Sequence, residues 1–103
     1  MKHCWTEEEI KIATDYFIKT FIINRRKLSL SAAAKELKKQ LPGIETGSLK
    51  MHLSNSKALA IEFGQNDSAG FSKLDNASKT HRRIFSEVVR KCQAGSKGDK
   101  ERV

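Results

Sequence analysis

Residues 46–55 read Thr46-Gly47-Ser48-Leu49-Lys50-Met51-His52-Leu53-Ser54-Asn55, and the rest of the chain falls into place around them. Thr46, Gly47 and Ser48 are residue types that cap a helix or open its first turn. They follow Pro42-Gly43, which ends the preceding helical pattern. Leu49 and Leu53, four apart, are expected to face inward. Lys50, Ser54 and Lys57 would share the outer face, with Ser48 at its leading end. A short helix that is apolar behind and carries cations, hydroxyls and an amide in front suits the second helix of a helix-turn-helix, the one that enters a DNA groove.

Upstream, a helix starts near Ser29 or Ser31 and runs to about Leu41. Leu30, Ala33, Ala34, Leu37 and Leu41 line its inner side, and its alanines are expected to let it pack closely on the first helix. Only Ile44 and Glu45 separate Pro42-Gly43 from the opening stretch, a connection of helix-turn-helix length. Further upstream, Thr6 and Glu9 form a capping box, three glutamates complement the helix dipole, and Trp5 is placed to staple onto Ile10. Ile10, Ala13, Phe17 and Phe21 make one inward stripe of this first helix, and Ile12, Tyr16 and Ile23 a second. Glu8, Lys11, Asp15 and Lys19 hold the wet side. With so broad an apolar surface, it is expected to be the central core helix. Asn24-Arg25-Arg26-Lys27 then breaks the pattern. By itself this cluster reads as a solvated loop, but beside a DNA-reading helix it becomes a phosphate clamp.

Downstream of Asn55 the pattern is less regular, and residues 64–70 are rich in turn formers. Asn55 is read as the residue that ends the helix in a left-handed conformation; a bidentate bond to an adenine edge is its other reading. Phe71 and Leu74 are expected to tuck onto the core. A last helix over roughly 78–93 would bury Ile84, Phe85, Val88, Val89 and Cys92 and expose Lys79, Arg82, Arg83, Arg90 and Lys91. Residues 94–103 read as a disordered tail or linker. Nothing alternates with a period of two, so the predicted fold is all-α: a four-helix domain over 1–93 that contains a helix-turn-helix-like three-helix unit.

The chain has 103 residues and a formal net charge of +8, with a pI near 9.7 and a mean hydropathy of −0.56. The length allows one domain with a modest core. The positive excess favours a polyanionic partner. Residues 1–24 carry three lysines against four acids, whereas residues 25–57 carry eight bases against Glu36 and Glu45, a net of +6. The basic excess thus begins where the first helix ends. Two cysteines, Cys4 and Cys92, are too few for a disulfide scaffold, and a reduced, cytoplasmic protein is the default; a bridge between them would need the first and last helices to pack together. No run approaches the ~20 apolar residues of a membrane span.

Trp5-Thr6-Glu7-Glu8-Glu9 and the short third helix are similar to the Myb/SANT type of three-helix DNA-binding unit. A narrower resemblance adds Gly47-Ser48-Leu49-Lys50-Met51-His52-Leu53-Ser54-Asn55, Gly70-Phe71 and Ser78-Lys79. Together these resemble the helical recognition module found N-terminal to HNH nuclease domains in some restriction-type endonucleases, over residues 5 to about 90. The chain departs from it in two ways. Ile44 and Glu45 stand where the family has an arginine before the Thr-Gly-Ser stretch, and His52 stands where it prefers a basic residue. No His-Asn-His cluster follows, so the resemblance implies recognition without cleavage, in a restriction–modification or phage-defence setting in the bacterial cytoplasm.

Chemistry beyond binding is sparse. His3, Cys4, His52, His81 and Cys92 lack the paired spacing of a zinc site, so no metal or other cofactor is expected. No nucleophile motif or phosphate loop is present, and Asp67 and Asp75 lack a partner that would mark a general acid and base, so no enzyme is expected. The expected DNA contacts are Arg25, Arg26, Lys27, Thr46, Ser48, Lys50, Ser54, Lys57, Arg82 and Arg83. If six phosphates were neutralised, affinity would fall ~10³-fold between 50 and 200 mM salt. The alternative is a small phage- or mobile-element-type protein that acts by binding another protein, as inhibitor or decoy of a host defence or nucleic-acid enzyme.

Overall fold

A computed structural model describes the backbone of residues 5–101 and the side chains of residues 5–91. The fold is all-helical. Helix α1 spans Glu7–Phe17 and continues as a π-helical segment over Ile18–Ile23; α2 spans Leu30–Gln40, α3 Thr46–Glu62 and α4 Lys79–Glu101. The most extensive pairings are α1 with α4 and α2 with α3, while α1 also crosses α3. The close neighbour of α2 is therefore α3 rather than the first helix.

The local signals behave as their chemistry dictates. The Thr6 hydroxyl accepts the Glu9 N–H, and the Glu9 carboxylate accepts the Thr6 N–H in return. Ser29 caps α2 through the Ala32 N–H, and Ser78 accepts the His81 N–H at the start of α4. Ile10, Ala13, Phe17 and Phe21 are all buried, as are Ala33, Ala34, Leu37 and Leu41. Phe21 and Phe71 meet edge to face at 5.5 Å between centroids, and Phe17 packs against Phe21, Phe71 and Phe85. These aromatic contacts tie α1, α4 and the long loop into one core.

The second stripe expected on the first helix holds only in part: Ile12 and Tyr16 are half-buried against the core, but its last member is not. Ile23 is 53% exposed, because the π segment inserts extra backbone per turn and rotates everything after Phe17 relative to the α-helical register. The segment closes with Arg25 at φ 50°, a left-handed residue whose successor, Arg26, donates its N–H back to the Thr20 carbonyl.

Helix α3 is 17 residues long, not the short helix expected, and Asn55 lies in its middle rather than at its end. His52, Leu53, Ser54, Asn55 and Ser56 are five consecutive buried residues. Five in a row cover a full helical turn, so α3 is enclosed all round and shares the centre of the fold with α1. It ends at Gly64, which takes φ 71°, with Gln65 N–H bonded to the Ala60 carbonyl.

The loop over residues 63–78 crosses the face of α3 that was expected to be open. Ser68 N–H and hydroxyl donate to the Phe21 and Arg26 carbonyls, Leu74 N–H to the Ser54 carbonyl, and Asn76 N–H to Asn55 Oδ1. Phe71 packs on the core as expected, whereas Leu74 is 38% exposed. The backbone of α4 stays helical to Glu101, so the boundary expected near residue 93 is not a break in the helix. His3, Cys4 and the Cys92 side chain lie outside the described residues.

Candidate functional site

Three aromatic rings from three elements form a stack. Trp5, just ahead of α1, lies on His52 of α3 with centroids 4.5 Å apart and planes at 19°. His52 in turn lies on His81 of α4, at 3.9 Å and 19°. Trp5 thus stacks on an imidazole while packing against the core cluster that contains Ile10. The capping box next to it fixes Thr6 through Glu9 and so anchors the chain from which Trp5 projects. His81 is placed by the Ser78 cap, and its Nε2 is 3.0 Å from the hydroxyl of fully buried Ser56. Neither ring nitrogen of His52 has a protein partner.

Burial decides the charge state of both rings. Desolvation pushes His81 down to about 4, and it pushes His52 well below its ordinary value, with the neighbouring His81 adding to the effect. Both imidazoles are neutral at pH 7, and the stack is an apolar, polarisable column. The Ser56–His81 pair has the spacing of a nucleophile and its base, yet Ser56 is fully buried and no substrate carbonyl can reach it in this conformation.

This column forms one side of an open pocket of ≈ 440 Å³ between the start of α1, α3 and the start of α4. Trp5, Met51 and Ile10 give it apolar surface; Ser48, Asn55, Asn76, Ser78 and Thr80 give it hydroxyls and amides; Glu7 is its one acid. Asn55 is held there by the Asn76 N–H, which its Oδ1 accepts at 3.0 Å. That bond orients the amide, so its NH₂ group is the end with no hydrogen bond to the described residues.

The ten residues expected to contact DNA do not form one surface. Thr46 is exposed, and Ser48 and Lys50 are half-buried, around the first turn of α3. Unlike α1 and α2, this helix has no side-chain cap, and a side chain at Gly47 would meet open space. Its first N–H groups therefore face outward without an intrahelical partner.

Ser54 and Lys57 have to be corrected. Ser54 is 4% exposed beneath the loop. The Lys57 ammonium is drawn into that loop, 3.0 Å from the Asp67 carboxylate and 2.7 Å from the Ala69 carbonyl. The expected outer face shared by Lys50, Ser54 and Lys57 is thus covered along most of its length. Its composition matched an open face because a loop's path leaves no periodic trace on the helix it covers.

The loop cations divide in the same way. Arg26 makes a two-pronged pair with Glu36, 2.9 and 2.8 Å, and Glu36 also accepts from the Tyr16 hydroxyl at 2.8 Å. The Arg26 guanidinium, then the Tyr16 bond, hold the Glu36 carboxyl below its ordinary value. Burial, then the Glu36 bond, raise the Tyr16 phenol. Arg25 donates to the Asn66 carbonyl at 2.8 Å, and Lys27 is exposed without an acid partner among the described residues. Arg82 pairs with Glu62, and Arg83 with Glu7 and Glu87. All four arginines are exposed, so the acid pairs of Arg26, Arg82 and Arg83 are weak and exchangeable and neutralise their charge only in part, whereas the bond of Arg25 to a carbonyl leaves its charge intact.

The Trp5–His52–His81 pocket had no clear signal in the sequence. His52 and His81 are 29 positions apart, and neither spacing nor flanking residues link them. The only hint was the placing of Trp5 immediately ahead of a capped helix.

No cluster of His, Cys, Asp or Glu suited to a metal ion occurs among the described residues. None of their helices is long and apolar enough to cross a membrane. No protein-family model, curated protein or solved structure matches the chain.

Proposed function

We propose that this domain binds duplex DNA without cutting it, led by the uncapped first turn of α3. The observation that carries the reading is the pairing of outward-facing, unsatisfied N–H groups at Thr46–Ser48 with Lys50 one turn further on, in a chain of net charge +8. An exposed helix N-terminus offers phosphate both N–H donors and the positive end of a dipole. Lys27, Lys35 and Lys39 are exposed, and among the described residues none has its ammonium in an ion pair with an acid, although Lys39 contributes to holding the Glu36 carboxyl down. The resemblance of residues 46–55 to a DNA-recognition module agrees with this assignment.

The contact set is smaller than the sequence alone suggested. Ser54 and Lys57 are replaced by Lys35 and Lys39 on the outer side of α2, and Arg26, Arg82 and Arg83 count only once their acid partners let go. Four neutralised phosphates imply that affinity falls about 10²-fold between 50 and 200 mM salt. Fluorescence anisotropy with a labelled duplex across that range tests it. A flat salt response, or no binding at 50 mM, would overturn the assignment. The alternative of a protein partner would need a contiguous apolar patch. The large exposed apolar residues among those described, Ile23, Met51, Ile61 and Leu74, are single residues on the π segment, in the two halves of α3 and in the loop, and isolated apolar residues need no partner to explain them.

A further inference from the structure

We propose that the pocket beside Trp5 takes a single planar nucleobase, read by Asn55. The inference rests on the DNA-binding reading and gives it a second, more specific part.

Four observations converge. First, a pocket of ≈ 440 Å³ lies in the range of small-ligand sites and is open to solvent. Second, its walls are of the kind that accept a heteroaromatic ring: an indole and a thioether for the faces, hydroxyls and carboxamides for the edges. Third, Asn55 is 8% exposed and lines the pocket, and its NH₂ group makes no hydrogen bond among the described residues. A donor in an open pocket is free to bond solvent, so a ring acceptor, such as a carbonyl oxygen or an unprotonated ring nitrogen, exchanges one bond for another there and is chosen over a ring edge that presents a donor. Fourth, Ser48 belongs both to the pocket wall and to the uncapped first turn of α3. A phosphate at that turn therefore places its own or a neighbouring base within reach of the pocket.

The pocket also suits a base better than a charged group. His52 and His81 are neutral and sealed by stacking, and Glu7 at the rim is already paired with Arg83, so the lining offers a charged ligand no free countercharge. A base in a duplex must leave its stack to enter, which costs a few kcal/mol and least at a mismatch or bulge. The same ring chemistry is carried by free nucleotides, so the test must separate a base held in a strand from one in solution.

Trp5 is the only tryptophan in the chain and reports directly on the site. Its emission and the binding affinity are followed with three probes: a matched duplex, the same duplex carrying one bulged base, and a nucleoside monophosphate. The expected result is about tenfold tighter binding of the bulged duplex, with a saturating change in Trp5 emission that the matched duplex does not produce. Asn55→Asp keeps an oxygen for the Asn76 N–H and removes the donor, and Thr80→Tyr narrows the pocket from α4. Each should abolish the preference for the bulge and leave the helical circular dichroism signal intact.

Salt-sensitive binding of both duplexes with equal affinity and silent Trp5 would overturn the pocket while leaving duplex binding in place. A Trp5 response to the free nucleotide with no DNA binding at all would do the reverse, keeping the base pocket and removing the DNA reading. The wild-type comparison alone decides both outcomes, so neither depends on a variant folding.

Discussion

The imidazole of His81 lies flat on that of His52, 3.9 Å between centroids, with His52 sandwiched from its other side by Trp5. Two imidazoles this close tolerate at most one proton between them, and burial disfavours even that one. The stack that joins the start of α1 to α3 and α4 thus depends on two side chains staying neutral.

That dependence gives the domain an acid limit. Both folded-state values lie below the ordinary histidine value, His81 at about 4 and His52 well below normal. Above pH ~6.5 the rings are neutral whether the chain is folded or not, and their titration does not affect stability. As pH falls below ~6.5 the unfolded chain takes up protons that the folded one refuses, so stability drops by about 1 kcal/mol per pH unit for each ring. The loss continues until the folded value is reached, near pH 4 for His81. Urea midpoints at pH 7.0, 5.5 and 4.5 should decline steadily, and His81→Gln should flatten the slope. Midpoints that do not move from pH 7 to 4.5 would remove this account.

Lys57 and Asp67 form the least exposed ion pair among the described residues, with side chains 18% and 5% exposed. Removing the lysine strands a buried carboxylate, so Lys57→Ala should cost ~2–3 kcal/mol, near the lower end for a buried pair because the ammonium retains some water. Lys50→Ala, at the half-buried start of the same helix, should cost less than ~0.5 kcal/mol. Thermal or urea unfolding of the two variants side by side gives the comparison; equal losses would mean that the loop does not hold Lys57.

Arg25 sits at φ 50°, where a non-glycine residue carries roughly 1 kcal/mol of strain. Its guanidinium repays part of that through the Asn66 carbonyl. Arg25→Ala loses the hydrogen bond and keeps the strain, whereas Arg25→Gly loses both. The glycine variant should therefore be the more stable of the two by about 1 kcal/mol, measured by chemical denaturation. The reverse order would mean that the turn is not left-handed in solution.

For DNA, Lys50→Ala and Lys35→Ala should each weaken binding and lower the slope of log affinity against log salt by about 1. Ser54→Ala should leave both unchanged, since the loop covers that residue. A loss of affinity for Ser54→Ala in a variant that is still folded would mean that the loop opens on DNA.

Wherever a feature of this protein depends on neighbours within a few residues, the sequence by itself determined it. The Thr6–Glu9 capping box, the Ser29 and Ser78 caps, the Pro42-Gly43 stop and the inward stripe from Ile10 to Phe21 are local bargains between side chain and backbone, and the structure realises each of them. They are enough to establish an all-helical fold. Two kinds of feature escaped. One was the register after Phe17, because a π segment has no composition of its own. The other was whatever comes from packing between distant stretches. The middle of α3 lost its periodic signal because it is enclosed on all sides, and the loop over residues 63–78 buried a serine and paired a lysine that composition alone placed in solvent. The stretch at residues 46–55 is therefore divided. Its leading turn keeps the open, basic character read from the sequence, while its second half belongs to the core. The pocket beside Trp5 was decided by tertiary structure alone, since only the packing of α1, α3 and α4 brings an indole and two imidazoles from three remote positions into one stack.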